Sequence, residues 1–421
     1  MKRVLVIAPG VWDKQALALP HVATNHQFIF IGEEFQERPS LLEALRFDVF
    51  GYVRRVVDQF RSAKLTGVVG TGDYPACMLA PLVAQELGLH APRAQDVVVL
   101  SHKFYSRQIQ QRVVPHATPI FAAIDPFAAR YSPLLSYPFF VKPVKGTMSI
   151  RAQMVHGPAA LAAALRFSLR ERLEGYLLLR PYAQLLRKYT DGKVPAHWFI
   201  AEAPLKGNQV TVDGFVQDGS VVVTGIVDSV MHPGTRSFQR FEYPSSLPTK
   251  VQERMVDIAT TLISGAGLDH TCFNIEMFHD AITDRVHVIE VNPRMSYQFA
   301  DLYERVDGMN TYEVQLALAT GTPVRWVPRQ GRDGAAASFV LRRFQDALVV
   351  AVPTEAQVAQ ACREHPETVV KILCHIGERL SQLDQDVGSF RYGIINMGAA
   401  NLDQLHETYA LVKQRLPFEF R

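Results

Sequence analysis

The chain has 421 residues, 48% of them apolar and 20% charged, the balance of an ordinary globular protein and not of a disordered or fibrous one. Its formal net charge is +3 with no Lys/Arg-rich run, so nothing argues for a nucleic-acid partner. No stretch approaches the roughly 18 uninterrupted apolar residues of a membrane-spanning helix, and the length allows roughly two to four domains. The four cysteines, Cys77, Cys272, Cys362 and Cys374, have no ligand spacing. The opening MKRVLVIAPG is interrupted by Pro9-Gly10 and Asp13 too early for a signal peptide. Both features predict a cytoplasmic protein with free thiols.

Residues 1 to about 100 alternate strand and helix patterns. Val4–Ile7, Gln27–Ile31 and Gly67–Val69 read as strands, and a helical run extends from Pro75 to Leu87. Strands separated by helices imply βαβ units and a parallel sheet, whose ligands gather at the carboxyl ends of the strands. Pro9-Gly10 and Thr71-Gly72-Asp73 therefore fall at the edge of an expected cleft, although a plain chain turn is the commoner explanation of each glycine. No GxGxxG follows the first strand, so a dinucleotide site there is not expected.

Lys103–Val113 has the pattern of an amphipathic helix ending before Pro115. Further on, an apolar strand ends in Lys142-Pro143 and runs into Lys145-Gly146-Thr147-Met148-Ser149. An ammonium at the end of a buried strand must reach water or meet a negative group. Amides around Gly146 and the hydroxyls of Thr147 and Ser149 suit phosphate oxygens, while a structural Lys-Pro strand end is about as common. Pro158–Leu173 reads as a helix, Tyr176–Leu179 as an apolar strand capped by Arg180-Pro181, and Ala183–Asn208 as a loop-rich passage. Gln209–Val216 and Val221–Val227, joined through Asp218-Gly219, form a hairpin by the Asp-Gly turn rule. Residues 231–248, with His232, Arg236, Arg240 and Glu242, read as an irregular binding loop or lid. Pro248–Gly267 and Asn310–Thr320 are helices.

Between those two helices lies the most informative stretch, Phe273–Arg294, FNIEMFHDAITDRVHVIEVNPR. If strands Cys272–Phe278 and Arg285–Val291 pair symmetrically about Thr283, Glu276 lies opposite Glu290 and Asn274 opposite Asn292, on one face. Like charges directly across a strand pair repel, so a cation between them is the easiest explanation. The oxygen-only set of Glu276, Glu290 and Asn292 suits Mg2+ (or Mn2+), with water and substrate phosphates completing the shell. A hairpin with one solvated polar face is the simpler alternative. After about residue 325, strands Ala336–Arg342, Leu348–Val352, Val369–Cys374 and Arg391–Ile395 and helices Thr354–Glu364 and Asn401–Arg415 read as a small α+β or barrel-like tail without a catalytic cluster.

Lys103, the Lys142-Pro143 strand end, Gly146–Ser149, the Gln209–Val227 hairpin and Glu276…Glu290-Val291-Asn292-Pro293-Arg294 together resemble, in order and spacing, the ATP-grasp superfamily of carboxylate–amine ligases. The combination is far more specific than any one of its members. The resemblance implies an α/β and α+β multidomain fold: a pre-ATP-grasp α/β domain (1–100), a central lobe (101–182), a lobe with the metal hairpin (183–325) and a C-terminal domain (326–421). It implies ATP with Mg2+, and phosphorylation of a carboxylate to an acyl phosphate that an amine attacks. Lys103 and Lys142 match the lysines on the ATP phosphates. Lys145, Gly146, Thr147 and Ser149 match the phosphate loop. Tyr176–Tyr182, with Leu179, Arg180 and Tyr182, matches the inter-lobe strand that reads adenine, and Gln209 the ribose position. Glu276, Glu290 and Asn292 match the metal ligands, and Arg294 the arginine on the transferring phosphoryl group, with Lys142 the second catalytic cation.

The Gly/Ser loop is poorer than in many members, Arg180-Pro181 stands where acids are common, and Ala183–Asn208 looks like an insertion. The domain order looks most like the L-amino acid ligase and biotin-carboxylase-like branch, without a Met-Lys-Met biotin acceptor. Expected substrate contacts are His232, Arg240, Glu242, Ser296, Tyr297 and Gln298. Expected partners are a small carboxylate and an amine, with no nucleic acid and no membrane, and a homodimer is left open. Two alternatives stand beside the ligase: a bicarbonate-using, biotin-carboxylase-like enzyme, and a catalytically silent ATP-binding module.

Overall fold

The computed structural model describes residues 1–36, 41–127, 135–146, 151–366, 368–383 and 388–421. Thr147 and Ser149 of the expected phosphate loop lie outside these. The N-terminal part runs β1 (Lys2–Ile7), α1 (Val11–Leu17), α2 (Pro20–Ala23), β2 (His26–Ile31), α3 (Leu41–Arg46), α4 (Val49–Phe60), β3 (Gly67–Val69), α5 (Ala76–Glu86) and α6 (Ala94–Leu100). Its three strands form a parallel sheet in the order β2-β1-β3. α4 starts at Asp48, whose carboxylate accepts the Gly51 amide, and buries Val49, Tyr52, Val53, Val56, Val57 and Phe60 at helical spacing. The loop after β3 doubles back onto α5, which only glycine permits at position 70, since a Cβ there would overlap the Ala76 carbonyl. That bend presents Asp73 at the carboxyl end of the sheet.

The first lobe comprises α7 (Lys103–Val113), β4 (Phe121–Ile124), β5 (Phe139–Pro143), β6 (Gln153–Val155), α8 (Pro158–Ala164), α9 (Leu169–Tyr189) and β7 (Phe199–Glu202), with an antiparallel sheet in the order β4-β7-β5-β6. Here the expectation of a strand at Tyr176–Leu179 is overturned. Those residues lie in the middle of the 21-residue α9, which also absorbs Arg180-Pro181 and crosses the expected boundary after residue 182. Ser168 and Glu171 form a capping box that starts the helix. Leu177, Pro181, Tyr182, Leu185 and Leu186 then make a buried helical face, and Pro181 forfeits one ladder bond within it. The expected helix Pro158–Leu173 is correspondingly split in two. The strand that closes the lobe is β7.

A short connection, 203–207, leads from β7 into β8 (Asn208–Gln217), β9 (Ser220–Met231), β10 (Phe238–Tyr243), α10 (Thr249–Ala266), β11 (Thr271–Asp280), β12 (Arg285–Asn292), α11 (Ala300–Asp307) and α12 (Thr311–Ala319). Gly207, at φ +117, ends that connection where a Cβ would overlap the His279 carbonyl. β8 and β9 pair as expected through Asp218-Gly219, both with positive φ. The expected irregular stretch 231–248 contains a strand at its centre: β10 (Phe238–Tyr243) pairs with β9 on one side and with β13 on the other. Its alternating face finds two partners, which a sequence window bounded by Pro233-Gly234 and Pro244 conceals.

The remainder is β13 (Ala335–Arg343), β14 (Val349–Ala351), α13 (Glu355–Glu364), β15 (Val369–Ile372), β16 (Phe390–Ala399), α14 (Leu402–Arg415) and β17 (Glu419–Phe420). Three of these strands extend the sheet of the second lobe, giving eight strands in the order β12-β11-β8-β9-β10-β13-β16-β15. The tail therefore shares a sheet with the acidic hairpin. The four cysteines are free, and among the described residues no helix is long and apolar enough to cross a membrane.

Candidate active site

Five segments converge between the two lobes and the N-terminal sheet. β11 and β12 pair with Asn274 opposite Asn292 and Glu276 opposite Glu290, the register that symmetry about Thr283 predicts. Toward the turn the register slips at Glu276/Met277, leaving Ile289 as the extra residue of a bulge. The Ile289 carbonyl accepts from Arg107 Nη2 at 2.6 Å and from Lys142 Nζ at 3.4 Å. The first lobe thus grips the metal hairpin beside Glu290.

Lys103 is the first residue of α7. Its backbone amide donates to the Val144 carbonyl at 2.9 Å, and its Nζ donates to the Gly146 carbonyl at 3.0 Å and pairs with Glu290 at 3.0 Å. Lys142, at the end of β5, is buried and pairs with Glu202 of β7 at 2.8 Å, while Arg107, fully buried on α7, takes the other oxygen of Glu202 at 2.6 Å. Burial pulls the Lys142 and Lys145 ammonium groups below their usual range against the pull of Glu202 and Asp73. For Lys103, burial opposes charging but Glu290 outweighs it, and the ammonium is held above its usual range. Lys145 Nζ lies over the rings of Tyr182 and Tyr74, at 5.3 and 5.8 Å from their centroids.

Glu276 is pushed up by burial and by the facing Glu290 carboxylate. Burial would raise Glu290 too, but Lys103 and Lys142 outweigh it and hold it well below the usual range. Gln209 Nε2 donates to Glu276 at 2.9 Å. Asn292 donates its Nδ2 to Asn274 at 3.1 Å, which leaves its Oδ1 to accept. Among the described residues no group of three or more His, Cys, Asp or Glu side chains is arranged around a metal position. Two facing carboxylates and one amide oxygen, all hard donors, nevertheless fit Mg2+ held open to water and phosphate oxygens. A cation there relieves the repulsion that drives Glu276 toward its protonated form.

Arg294 Nη2 pairs with Asp73 at 2.9 Å and its Nη1 donates to the Met295 carbonyl. Burial would raise the Asp73 carboxyl, but Arg294 and Lys145 overcome it and keep it ionised. Behind the metal face, buried Asp213 accepts from Asn274 Nδ2 at 2.9 Å, Ser296 Oγ at 3.0 Å and Tyr303 Oη at 2.9 Å.

The structure thus brings Lys103, Lys142, Lys145, Gly146, Gln209, Glu276, Glu290, Asn292 and Arg294 into one cleft. Gln209 faces Glu276 there. Two of the expected adenine residues do not join them, because the strand expected to carry them is a helix: Leu179 packs in the core, and Arg180 reaches out to the Leu45 carbonyl. Tyr182 arrives by another route, beneath Lys145. Of the expected substrate residues, Ser296 belongs to the Asp213 network and Gln298 donates to Ser338 at 2.9 Å. Arg240 pairs with Glu242, which also pairs with His406 of α14 at 2.5 Å, and His232 abuts Phe344, so Glu242 and His232 engage the C-terminal part. Arg107, Glu202 and Asp213 escaped the sequence reading. Their only signal was a charged side chain on an otherwise core-facing position.

The ATP-grasp domain family matches residues 135–302 of this chain. The C-terminal section of the carbamoyl phosphate synthase large chain of Methanopyrus kandleri is 30% identical over 118 residues, which is 26% of this chain and 22% of that protein. The chain so spans about a fifth of that relative. Among solved structures, an L-amino acid ligase from Bacillus licheniformis superposes with a TM-score of 0.73 over 100% of this chain and 99% of its own, at 16% identity. A phosphoribosylglycinamide synthetase from Anaerococcus prevotii gives 0.67 at 11% identity, with 100% of each chain covered, and a biotin carboxylase from Campylobacter jejuni 0.63 at 13%, with 100% and 92% covered. The ATP-grasp match over residues 135–302 covers Lys142, Gln209, the facing carboxylates Glu276 and Glu290, Asn292 and Arg294, and over its whole length the chain shares the fold of these ligases.

Proposed function

We propose that the protein is an ADP-forming ligase that uses ATP and Mg2+ to activate a small carboxylate, an amino acid, as an acyl phosphate, and then joins it to an amine as an amide or dipeptide. The observation that carries this reading is the pair Glu276 and Glu290, face to face across a hairpin, ringed by Lys103, Lys142 and Arg294. A binder of nucleotide alone has no use for a buried arginine beside the metal face.

In the reaction, a substrate carboxylate oxygen attacks the γ-phosphorus and ADP departs. The amine nitrogen then attacks the acyl carbon, phosphate leaves and the amine sheds a proton. Glu276, Glu290 and Asn292 would hold a Mg2+ ion, which would offset charge on the phosphates. Lys103 and Lys142 contact phosphate oxygens, and Arg294, aimed by Asp73, meets the charge on the transferring group. The end of β7 and the connection 203–207, in place of Tyr176–Tyr182, form the inter-lobe segment available to adenine. No side-chain nucleophile is required.

A phosphate-release screen over pairs of amino acids tests the reading, with hydroxylamine as a trap. The expected result is amino-acid-dependent ADP formation and an acyl hydroxamate. Phosphate release with a confirmed carboxylate but no hydroxamate overturns the acyl-phosphate route. Release that depends on bicarbonate in place of an amino acid overturns the substrate class.

A further inference from the structure

Among the described residues, Lys371 reaches from the C-terminal part to Trp12 without a hydrogen-bond or ion-pair partner of its own. It projects from β15, the edge strand of the eight-stranded sheet, and its Nζ lies 2.9 Å from the ring centroid of Trp12, the second residue of α1. The Trp12 ring in turn lies 6.0 Å from that of Tyr297, three residues after Arg294. Three distant parts of the chain therefore meet here: the loop and helix after β1, the segment after the metal hairpin, and the tail.

Among the described residues, no hydrogen bond or ion pair engages the Lys371 ammonium. The nearest carboxylates, Asp13 and Asp301, are already committed. Asp301 pairs with Arg305 at 2.8 Å, and Asp13 accepts from the Gly10 amide at 2.6 Å, from Tyr312 Oη at 2.7 Å and from Thr71. Burial pulls the Lys371 pKa down to about 7, the direction expected of an ammonium short of acceptors, with Asp301 and Asp13 only partly opposing it. A half-buried lysine of this kind gains most from an anion brought by a ligand.

The geometry points to a subsite, made by Trp12, Tyr297 and Lys371, for the amine substrate: Lys371 holds the carboxylate of an amino acid whose amino group faces the acyl phosphate at Arg294, and the two rings flank its side chain. The inference rests on the ligase reading above and adds the substrate class of the second step. The charge sign selects the acceptor. A donor amino acid sends its carboxylate to ATP and leaves an ammonium behind, which Lys371 repels, whereas an acceptor arrives with a carboxylate to spare.

The test compares L-amino acids with their amides as acceptors, in the full-length protein with ATP, Mg2+ and the best donor from the screen. Wild type is expected to prefer the free acid at least tenfold in kcat/KM, and Lys371→Met to lose that preference through the acceptor KM. Hydroxamate formation from the donor, which needs no acceptor, is expected to stay within twofold. Trp12→Leu is expected to raise the acceptor KM while keeping the acid-over-amide preference. An unchanged preference in Lys371→Met overturns the subsite, and so does an equal loss of hydroxamate, which assigns the lysine to the donor. Calorimetric titration of the same amino acids into protein holding Mg2+ and a non-hydrolysable ATP analogue separates the two readings. Lys371-dependent binding without turnover upholds the subsite and removes the ligase, and binding equal in wild type and Lys371→Met removes the subsite.

Discussion

Arg294 and Asp73 form an ion pair of 2.9 Å between the end of the metal hairpin and the loop after the third strand of the N-terminal sheet. Asp73 fixes the direction of the largely buried Arg294 guanidinium. Replacing Arg294 by Ala is expected to lower kcat by about 10²–10³-fold, in the range seen for loss of one transition-state donor. The KM for ATP is expected to stay within about threefold. Asp73→Asn keeps the arginine but loosens its aim, and a kcat loss of about tenfold is expected. Steady-state ADP release checks both, and equal losses in kcat and ATP affinity would instead assign Arg294 to nucleotide binding.

Despite its burial, Glu290 is held in its charged form by Lys103 and Lys142. Glu290→Gln keeps the shape and removes the charge that a divalent cation needs. Mg2+-dependent phosphate release is expected to fall below about 1% of wild type. Retained activity across a Mg2+ titration would show that the metal sits elsewhere.

Glu202 bridges buried Arg107 and Lys142 from the first lobe, and both cations reach the Ile289 carbonyl in the second. Removing the shared carboxylate leaves two buried cations unbalanced. Glu202→Gln is expected to destabilise the fold by about 3–5 kcal/mol, the usual consequence of breaking a buried pair from one side. Denaturant unfolding measures this directly.

Burial lifts the Asp213 carboxyl to about 6 despite hydrogen bonds from Asn274, Tyr303 and Ser296. A carboxyl raised in the folded state contributes its stability fully below the unfolded value near 4 and loses it as pH climbs through about 6. Wild type is therefore expected to lose on the order of 2–3 kcal/mol relative to Asp213→Asn between about pH 4 and 6.5, at about 1.4 kcal/mol per unit. Above that the difference is level. Unfolding of both proteins across this range checks the sign, and a flat difference would place the proton elsewhere.

Much of the chain was legible without coordinates wherever a local rule carried the information. The period-2 pattern of Phe273–Arg294 put Glu276, Glu290, Asn274 and Asn292 on one face, and the symmetric register assumed for them holds beyond the bulge at Ile289 but not toward the turn. Asp218-Gly219 sets the next hairpin, and Asn310 and Gly267 mark helix ends by the caps they provide. Lys142 stood out because a charge at the end of an apolar strand needs a reason, whereas Lys103 was singled out by the family resemblance.

Local rules failed where two elements compete for the same residues. Tyr176–Leu179 is a four-residue apolar run, equally good as strand or helix. The Ser168–Glu171 cap and the packing of Leu177, Tyr182, Leu185 and Leu186 decided for helix. Phe238–Tyr243 became a strand because β9 and β13 both offered it hydrogen bonds. The Ile289 bulge, the Arg107–Glu202–Lys142 bridge and the Trp12–Tyr297–Lys371 cluster join residues far apart in the chain.

Residue type and spacing along single elements put forward two facing carboxylates with Asn292 and the strand-end Lys142, and the family resemblance added Lys103 and Arg294. Only the tertiary structure decided how those charges are balanced, with Asp73 on Arg294, Glu202 on Lys142, Glu290 on Lys103 and, among the described residues, only the Trp12 ring and no ion pair at Lys371. Electrostatic energy depends on distance through space and on burial, and neither is written in the order of residues along the chain.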